Sequence, residues 1–260
     1  MGGREMLLQE MKLPDVRREI ESGGVLIVPT GATEQHGPHL PTKVDIFIPY
    51  QIAIRAAERT GSIVAPPISY GYNEKELSFP GTASVTIQTF QNYVFEVCRS
   101  FWKTGFQKIL ILNGHRGNRF IVHAVLNLMA EQTTARCAGL DYYDLVKDVA
   151  EQVRDTGVGG MQHACEFETS AMLYLEPSCV DMSAARAEFS PYLGSKYTDH
   201  DMTFDPIVFM TAPFHKRTKS GVLGDPTVAT REKGKALIEA AIDRLVEFIT
   251  MFRKFSLDRE

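Results

Sequence analysis

The sequence predicts an α/β fold in which a mainly parallel sheet carries helices on both faces. Two observations carry that prediction. The runs Val25-Leu26-Ile27-Val28 and Lys108-Ile109-Leu110-Ile111-Leu112 are apolar without alternation, the pattern of strands covered on both sides. Segments with apolar residues at helical spacing lie between and after them, so strands and helices alternate. A chain of 260 residues that is 44% hydrophobic can bury a large core. No linker, repeat or low-complexity tract divides it, so one domain over residues 1–260 is expected.

The strand at 25–28 is followed by an amphipathic helix over 46–60, which Gly61 stops. A short strand at 62–65 ends at Pro66-Pro67. The loop 69–82 carries Tyr70, Tyr72, Asn73 and Phe79-Pro80-Gly81-Thr82. Residues 86–104 read as a helix, with Phe90, Val94, Val97 and Phe101 on one stripe and Gly105 at its end. The strand 108–112 runs into Asn113-Gly114-His115-Arg116-Gly117-Asn118 and a helix over 120–133. A strand at 138–143, a helix at 165–175 and a long amphipathic helix at 230–255, capped by Thr230, complete the order. Segment 184–225 is the least regular part and holds His200 and His215.

A net charge of −4 without a polybasic stretch argues against nucleic acid as a partner. No apolar run is long enough to span a bilayer, and residues 1–15 lack a signal-peptide core, so a cytoplasmic protein without membrane partners is expected. The four cysteines show no CxxC pair, which weakens both the structural-zinc and the disulfide readings. Cys98, Cys137 and Cys179 read as small buried residues, while Cys165 lies between His163 and Glu166.

Three sites carry chemistry. Glu34 and His36 follow the first strand two residues apart, so an extended chain turns both to one side, and Asp45 opens the next helical segment. Open α/β sheets place their ligands at such strand ends. The second site, 113–118, also stands between a strand and a helix. Its glycines permit a sharp turn, and the helix start offers N–H groups to an anion or oxyanion. The GxxxxGK[ST] and GxGxxG patterns are absent, so neither a phosphate loop nor a dinucleotide site is indicated. The third, 159–170, brings His163, Glu166 and Glu168 near a helix start. Their role is either ligation, acid–base work or simply the favourable place of acids at a helix N-terminus. Glu34, His36, Asp45, His115 and Glu168 form an imidazole–carboxylate set suited to Zn²⁺, Mn²⁺ or Fe²⁺. Five ligands exceed what one catalytic zinc takes from a protein, and an Asp could bridge two ions about 3.5–4 Å apart.

The order Gly-Ala-Thr-Glu-Gln-His-Gly-Pro-His-Leu-Pro, Asp45, Asn-Gly-His-x-Gly-Asn and His-Ala-x-x-x-Glu-Thr-Ser resembles the creatininase (creatinine amidohydrolase) family. Phe79-Pro80-Gly81-Thr82 and the stretch from Gly221 to Gly234 also look like family segments, so the resemblance covers about 25–234. It implies a three-layer α/β/α sandwich, assembled as a homohexamer, with two divalent ions. Asp45 would bridge them, Glu34 and His115 would hold one ion, and His36 the other. His163 matches the catalytic histidine of creatininase. In creatininase a Glu two residues after the Asn-Gly-His histidine also binds the second metal. That place is Gly117 here, and Glu168 is the candidate to fill the vacancy. Many relatives have Gly at the place of Cys165 and His at the place of Glu76. The tryptophans that creatininase folds over its substrate have no counterpart, because the one Trp, Trp102, lies in a core-like helical stripe. These departures argue against creatinine itself.

The resulting expectation is a hydrolase in which a metal-bridged hydroxide attacks a small cyclic amide and cleaves its C–N bond. His163 would deliver the proton to the leaving nitrogen, and Cys165 would be a bystander. Asn113, Gly114, Tyr72 and Phe79 are the candidate substrate contacts. An N-formyl amide hydrolase, a peptidase of a modified peptide and a hydrolase of a cyclic diketone in polyol catabolism are the alternatives within the family. The rival from another class is a non-catalytic assembly protein stapled by metal. Structural zinc sites favour cysteines, and none occurs in this set.

Overall fold

The computed structural model describes residues 6–255. Strands β1 (Val25–Thr30), β2 (Ile63–Val64), β3 (Lys108–Asn113) and β4 (Arg136–Asp141) form one sheet in the order β2-β1-β3-β4, every pair parallel. Alternate residues of a strand face opposite sides. Val25, Ile27, Leu110 and Leu112 pack with Ile48, Ile52, Leu237 and Ile242, from α2 (Val44–Thr60) and α7 (Arg231–Lys254). Leu26, Val28, Ile109 and Ile111 pack with Phe90, Val94, Val122 and Val125, from α3 (Ile87–Lys103) and α4 (Arg119–Gln132). The expected three layers follow from these two cores.

Several ends agree with local rules. Gly61 closes α2 with a left-handed φ of 65°. Thr86 and Thr230 cap α3 and α7 by accepting from Thr89 N and Lys233 N. Other elements differ from expectation. Helix α1 (Leu13–Glu21), with Pro14 in its first turn, was not expected. Helix α5 (Lys147–Val153) was also not expected. Strand β4 begins at Arg136 rather than 138, because pairing to β3 starts at Lys108. Cys98 is buried, but Cys137 and Cys179 are only half-buried, so the expectation of three buried cysteines is corrected. Among the described residues no helix is long and apolar enough to cross a membrane.

Two further pieces shape one end of the sheet. Strand β5 (Met161–His163) pairs antiparallel with β6 (Leu223–Gly224), and α6 (Glu166–Leu175) follows β5 directly. Ala164, buried with a φ of 48°, makes the sharp turn between them. Such a conformation costs a non-glycine residue on the order of 1–3 kcal/mol, so surrounding packing must hold it.

Candidate metal centre

The carboxyl ends of β1 and β3 bring the first two sites together. Glu34 and His36 follow β1, His115 follows β3, and Asp45 lies in the first turn of α2. Pro49, four residues on, has no N–H to give the Asp45 carbonyl. The backbone there is packed so tightly that a Cβ at Gly114 would meet that carbonyl at 2.0 Å. Glycine is therefore required by close approach.

Each histidine is held by one nitrogen and presents the other. His115 Nε2 donates to the Tyr72 carbonyl (3.1 Å) and His36 Nδ1 to the Glu34 carbonyl (3.1 Å), while His163 Nε2 lies 2.9 Å from the Gln35 carbonyl. The carbonyls set the tautomers of His115 and His36 and leave His115 Nδ1 and His36 Nε2 bare, whereas His163 Nε2 also stands 3.1 Å from the Gln35 amide nitrogen, so either of its nitrogens can carry the proton. The bare nitrogens face carboxylates. His115 Nδ1 is 3.0 Å from Glu34 Oε2 and 2.9 Å from Asp45 Oδ2, while His36 Nε2 is 3.2 Å from Asp45 Oδ1 and 3.8 Å from Glu168 Oε1. His163 Nδ1 lies 3.6 Å from Glu34 Oε1.

Two groups result, Glu34–Asp45–His115 and His36–His163–Glu168. The two oxygens of Asp45 point one to each. Glu34 Oε2 and His36 Nε2 are buried without a hydrogen-bond partner. Buried carboxylate oxygens facing bare imidazole nitrogens demand positive charge between them, as protons or as cations. Burial works against charge on His36 and His115, but Asp45, Glu34 and Glu168 outweigh it and hold both pKa values well above the usual range. Burial likewise pushes Asp45 up, and the two histidines more than reverse it. The donor set fits divalent ions of the Zn²⁺ or Mn²⁺ kind.

The third site divides its carboxylates. Glu166 is fully buried and accepts from Asp155 N, Thr156 N, Thr156 Oγ1 and Lys233 Nζ, a structural role. Glu168 turns to the centre, 3.7 Å from the Cys165 Sγ. Burial and Glu168 push the Cys165 thiol well above its ordinary pKa, away from nucleophile chemistry. The environment of His163 departs from expectation. It belongs to strand β5, its ring lies 4.3 Å from that of His36, and burial, with His36, pushes its pKa down to about 3.

The substrate-contact candidates fall in different places. Asn113 is buried with its amide nitrogen given to the His115 carbonyl and to Asp141. Gly114 N donates to the Thr30 carbonyl, His115 N to Asn113 Oδ1 and Asn118 N to the His115 carbonyl. These three N–H groups are engaged within the chain itself. Tyr72 contributes its carbonyl to His115 and packs its side chain on the core of α3 and α4. Phe79 makes an edge contact with Phe214, whose ring also meets His163 at 5.0 Å. A Cβ at Gly117 would stand 2.3 Å from His115 Nε2, so this backbone has no room for a side chain there. Trp102 is half-buried and gives its indole N–H to Thr134 Oγ1, within the α3–α4 layer.

Two further residues of the site had no local motif to mark them. Phe214 lies in an irregular segment without periodicity. Glu76 stands out only against the family pattern. It is buried, its Oε2 lacks a partner, and burial with nearby Glu34 lifts its pKa to about 7.

A three-layer α/β/α protein with a carboxylate–imidazole centre at the carboxyl ends of its parallel strands is the class that fold and site define. The chain belongs to the creatininase family, whose model, described as creatinine amidohydrolase, matches residues 9–249. It is 32% identical to the 3-dehydro-scyllo-inosose hydrolase of Thermotoga maritima, covering 93% of this chain and 81% of that protein. It is 30% identical to the creatinine amidohydrolase of Pseudomonas putida, covering 95% and 96%. A solved creatininase superposes with a TM-score of 0.81 at 28% identity, covering 96% of this chain and 99% of the other. The protein is thus a creatininase-family hydrolase.

Proposed function

We propose that this hydrolase depends on two divalent ions and opens the C–N bond of a small cyclic amide. The observation that carries the reading is Asp45, whose two oxygens face two different bare imidazole nitrogens. One ion would be held by Glu34, Asp45 and His115, the other by His36, Asp45 and Glu168. Solved creatininases include a manganese form and a Zn–Zn form, which supports Zn²⁺ or Mn²⁺ as the occupants. Such ions, when bound, supply an activated water and polarise the scissile carbonyl.

The chain's own residues do the rest. Backbone carbonyls of Tyr72 and Glu34 orient His115 and His36, the support that ligating histidines usually receive. His163 would take a proton at Nδ1 and deliver it to the leaving nitrogen. Phe214 and Phe79 would shield the reacting face from water.

A cyclic diketone is the second reading, favoured by the 32% identity to an inosose hydrolase. Turnover assays of cyclic amides, formamides, lactones and cyclic diketones, run with Mn²⁺- and Zn²⁺-loaded protein, separate the two. Cyclic amides should be hydrolysed fastest, with activity lost on chelation and regained on adding metal. Equal activity with and without chelator would overturn the metal dependence.

We also infer self-assembly, with a hexamer expected. Segment 184–225 exposes Ile207, Val208, Phe209 and Met210 side by side, an apolar patch of the kind that subunit contacts cover. Light scattering at micromolar concentration should report an oligomer, and a monomer would refute the inference.

A further inference from the structure

The wall beside His163 contains a guanidinium that the metal reading does not use. Arg217 lies over the Phe214 ring, 5.7 Å from its centroid, one aromatic ring removed from His163. Arg116, Arg119 and Arg154 each have a carboxylate partner. Among the described residues Arg217 forms no ion pair. Glu76 is felt electrostatically from beyond ion-pair distance, and its Oε1 is 3.6 Å from Lys75 Nζ.

Neutral groups hold Arg217 in place. Its Nη2 donates to Gln162 Oε1 (3.1 Å) and to His200 Nε2 (3.2 Å). Gln162 Nε2 donates to the His200 carbonyl (2.9 Å), and His200 Nδ1 donates to the Thr198 carbonyl (3.2 Å), so His200 Nε2 is the bare acceptor. Burial pushes His200 down to about 4, and Arg217, Arg116 and Lys75 add to that, so the imidazole stays uncharged. The plane of the guanidinium is therefore set without its charge being neutralised. Among the described residues Nη1 and Nε make no hydrogen bond. A half-buried guanidinium fixed by one nitrogen and lacking a counter-ion is prepared for an anion that arrives with a ligand.

We propose that Arg217 anchors an oxyanion of the substrate, a carboxylate or the enolate of a 1,3-dicarbonyl. The substrates would then be small cyclic carbonyl compounds that carry negative charge. Each group brings a charged oxygen that can accept a hydrogen left unused on Nη1 or Nε. The inference rests on the hydrolase reading for the position of the scissile carbonyl, whereas the anchoring contact itself needs no turnover.

Calorimetric titration of Zn²⁺-loaded protein with matched ligand pairs tests it. Dihydroorotate against dihydrouracil and 5-oxoproline against 2-pyrrolidinone probe the carboxylate. 1,3-Cyclohexanedione against cyclohexanone probes the enolate. In at least one pair the anionic member should bind about 10–100-fold tighter, the size of a charge-assisted contact, and added salt should narrow the gap. Arg217→Gln should abolish the gap and leave the neutral ligand's affinity unchanged. Arg217→Lys should keep only part of it, and that variant with the salt series decides the matter if the glutamine variant does not fold. Equal binding within every pair, no binding of any anionic member, or a gap that survives in Arg217→Gln would overturn the proposal. The last is the pattern of an anion that docks on the ions alone. A gap that behaves as expected without hydrolysis of any member removes the proposed reaction and leaves the anchor standing.

Discussion

At the carboxyl ends of β1 and β3, the side chains of the centre are fixed by their own neighbourhoods. His36 is held by the carbonyl two residues before it, and His115 stands two residues after the strand that carries it. The wall formed with segment 184–225 is built the other way. Arg217 is held by residues 162 and 200, Phe214 meets rings at 79 and 163, and β6 pairs with a strand about sixty residues earlier. The first region is a local motif on a rigid sheet. The second exists only once the tertiary structure has closed. Variants in the first should therefore lose metal, and variants in the second should keep metal and lose function.

The largest effect is expected at Asp45. Asp45→Ala should take metal content from about two ions per chain to well below one and abolish turnover, because a shared carboxylate touches both ions. Glu168→Gln, by contrast, should weaken one ion and spare the other. Metal analysis checks both, and a stoichiometry still near two in Asp45→Ala would break the shared role. His163→Ala comes next, with turnover about 10²–10⁴-fold lower and metals retained. Loss of an ion in that variant would make His163 a ligand, in line with its place beside His36 and Glu168.

Phe214→Leu sharpens the comparison from the other side. It conserves most of the buried volume, so the stability cost should stay below about 1.5 kcal/mol. Loosening the wall should lower kcat/KM by about 10–100-fold, the penalty of a misplaced substrate, with the metals unchanged. The smallest effect is expected at a helix cap that belongs to neither region. Thr230→Ala removes the cap of α7 and should cost about 1 kcal/mol in thermal or denaturant melts, with activity intact.

The same contrast explains what the sequence alone could reveal. Glu34, His36, Asp45 and His115 were legible because strand-end motifs and apolar runs are short-range signals, and the sheet simply brings two of them together. Glu168 was legible as a carboxylate near a helix start, while its separation from Glu166 depended on Lys233, 67 residues away. Helices α1 and α5 were missed because their apolar stripes are short. The depressed pKa of His163 could not be foreseen, since it follows from burial and from the charge of neighbouring His36. Phe214 and Arg217 had no local pattern to announce them.

Electron paramagnetic resonance of the Mn²⁺-loaded wild-type protein, recorded alongside its metal stoichiometry, tests the central claim most directly. Two ions sharing the Asp45 carboxylate should give two Mn²⁺ per chain with an exchange-coupled spectrum. Saturation at one ion, or a spectrum with only the resolved hyperfine pattern of isolated Mn²⁺, would contradict the shared centre.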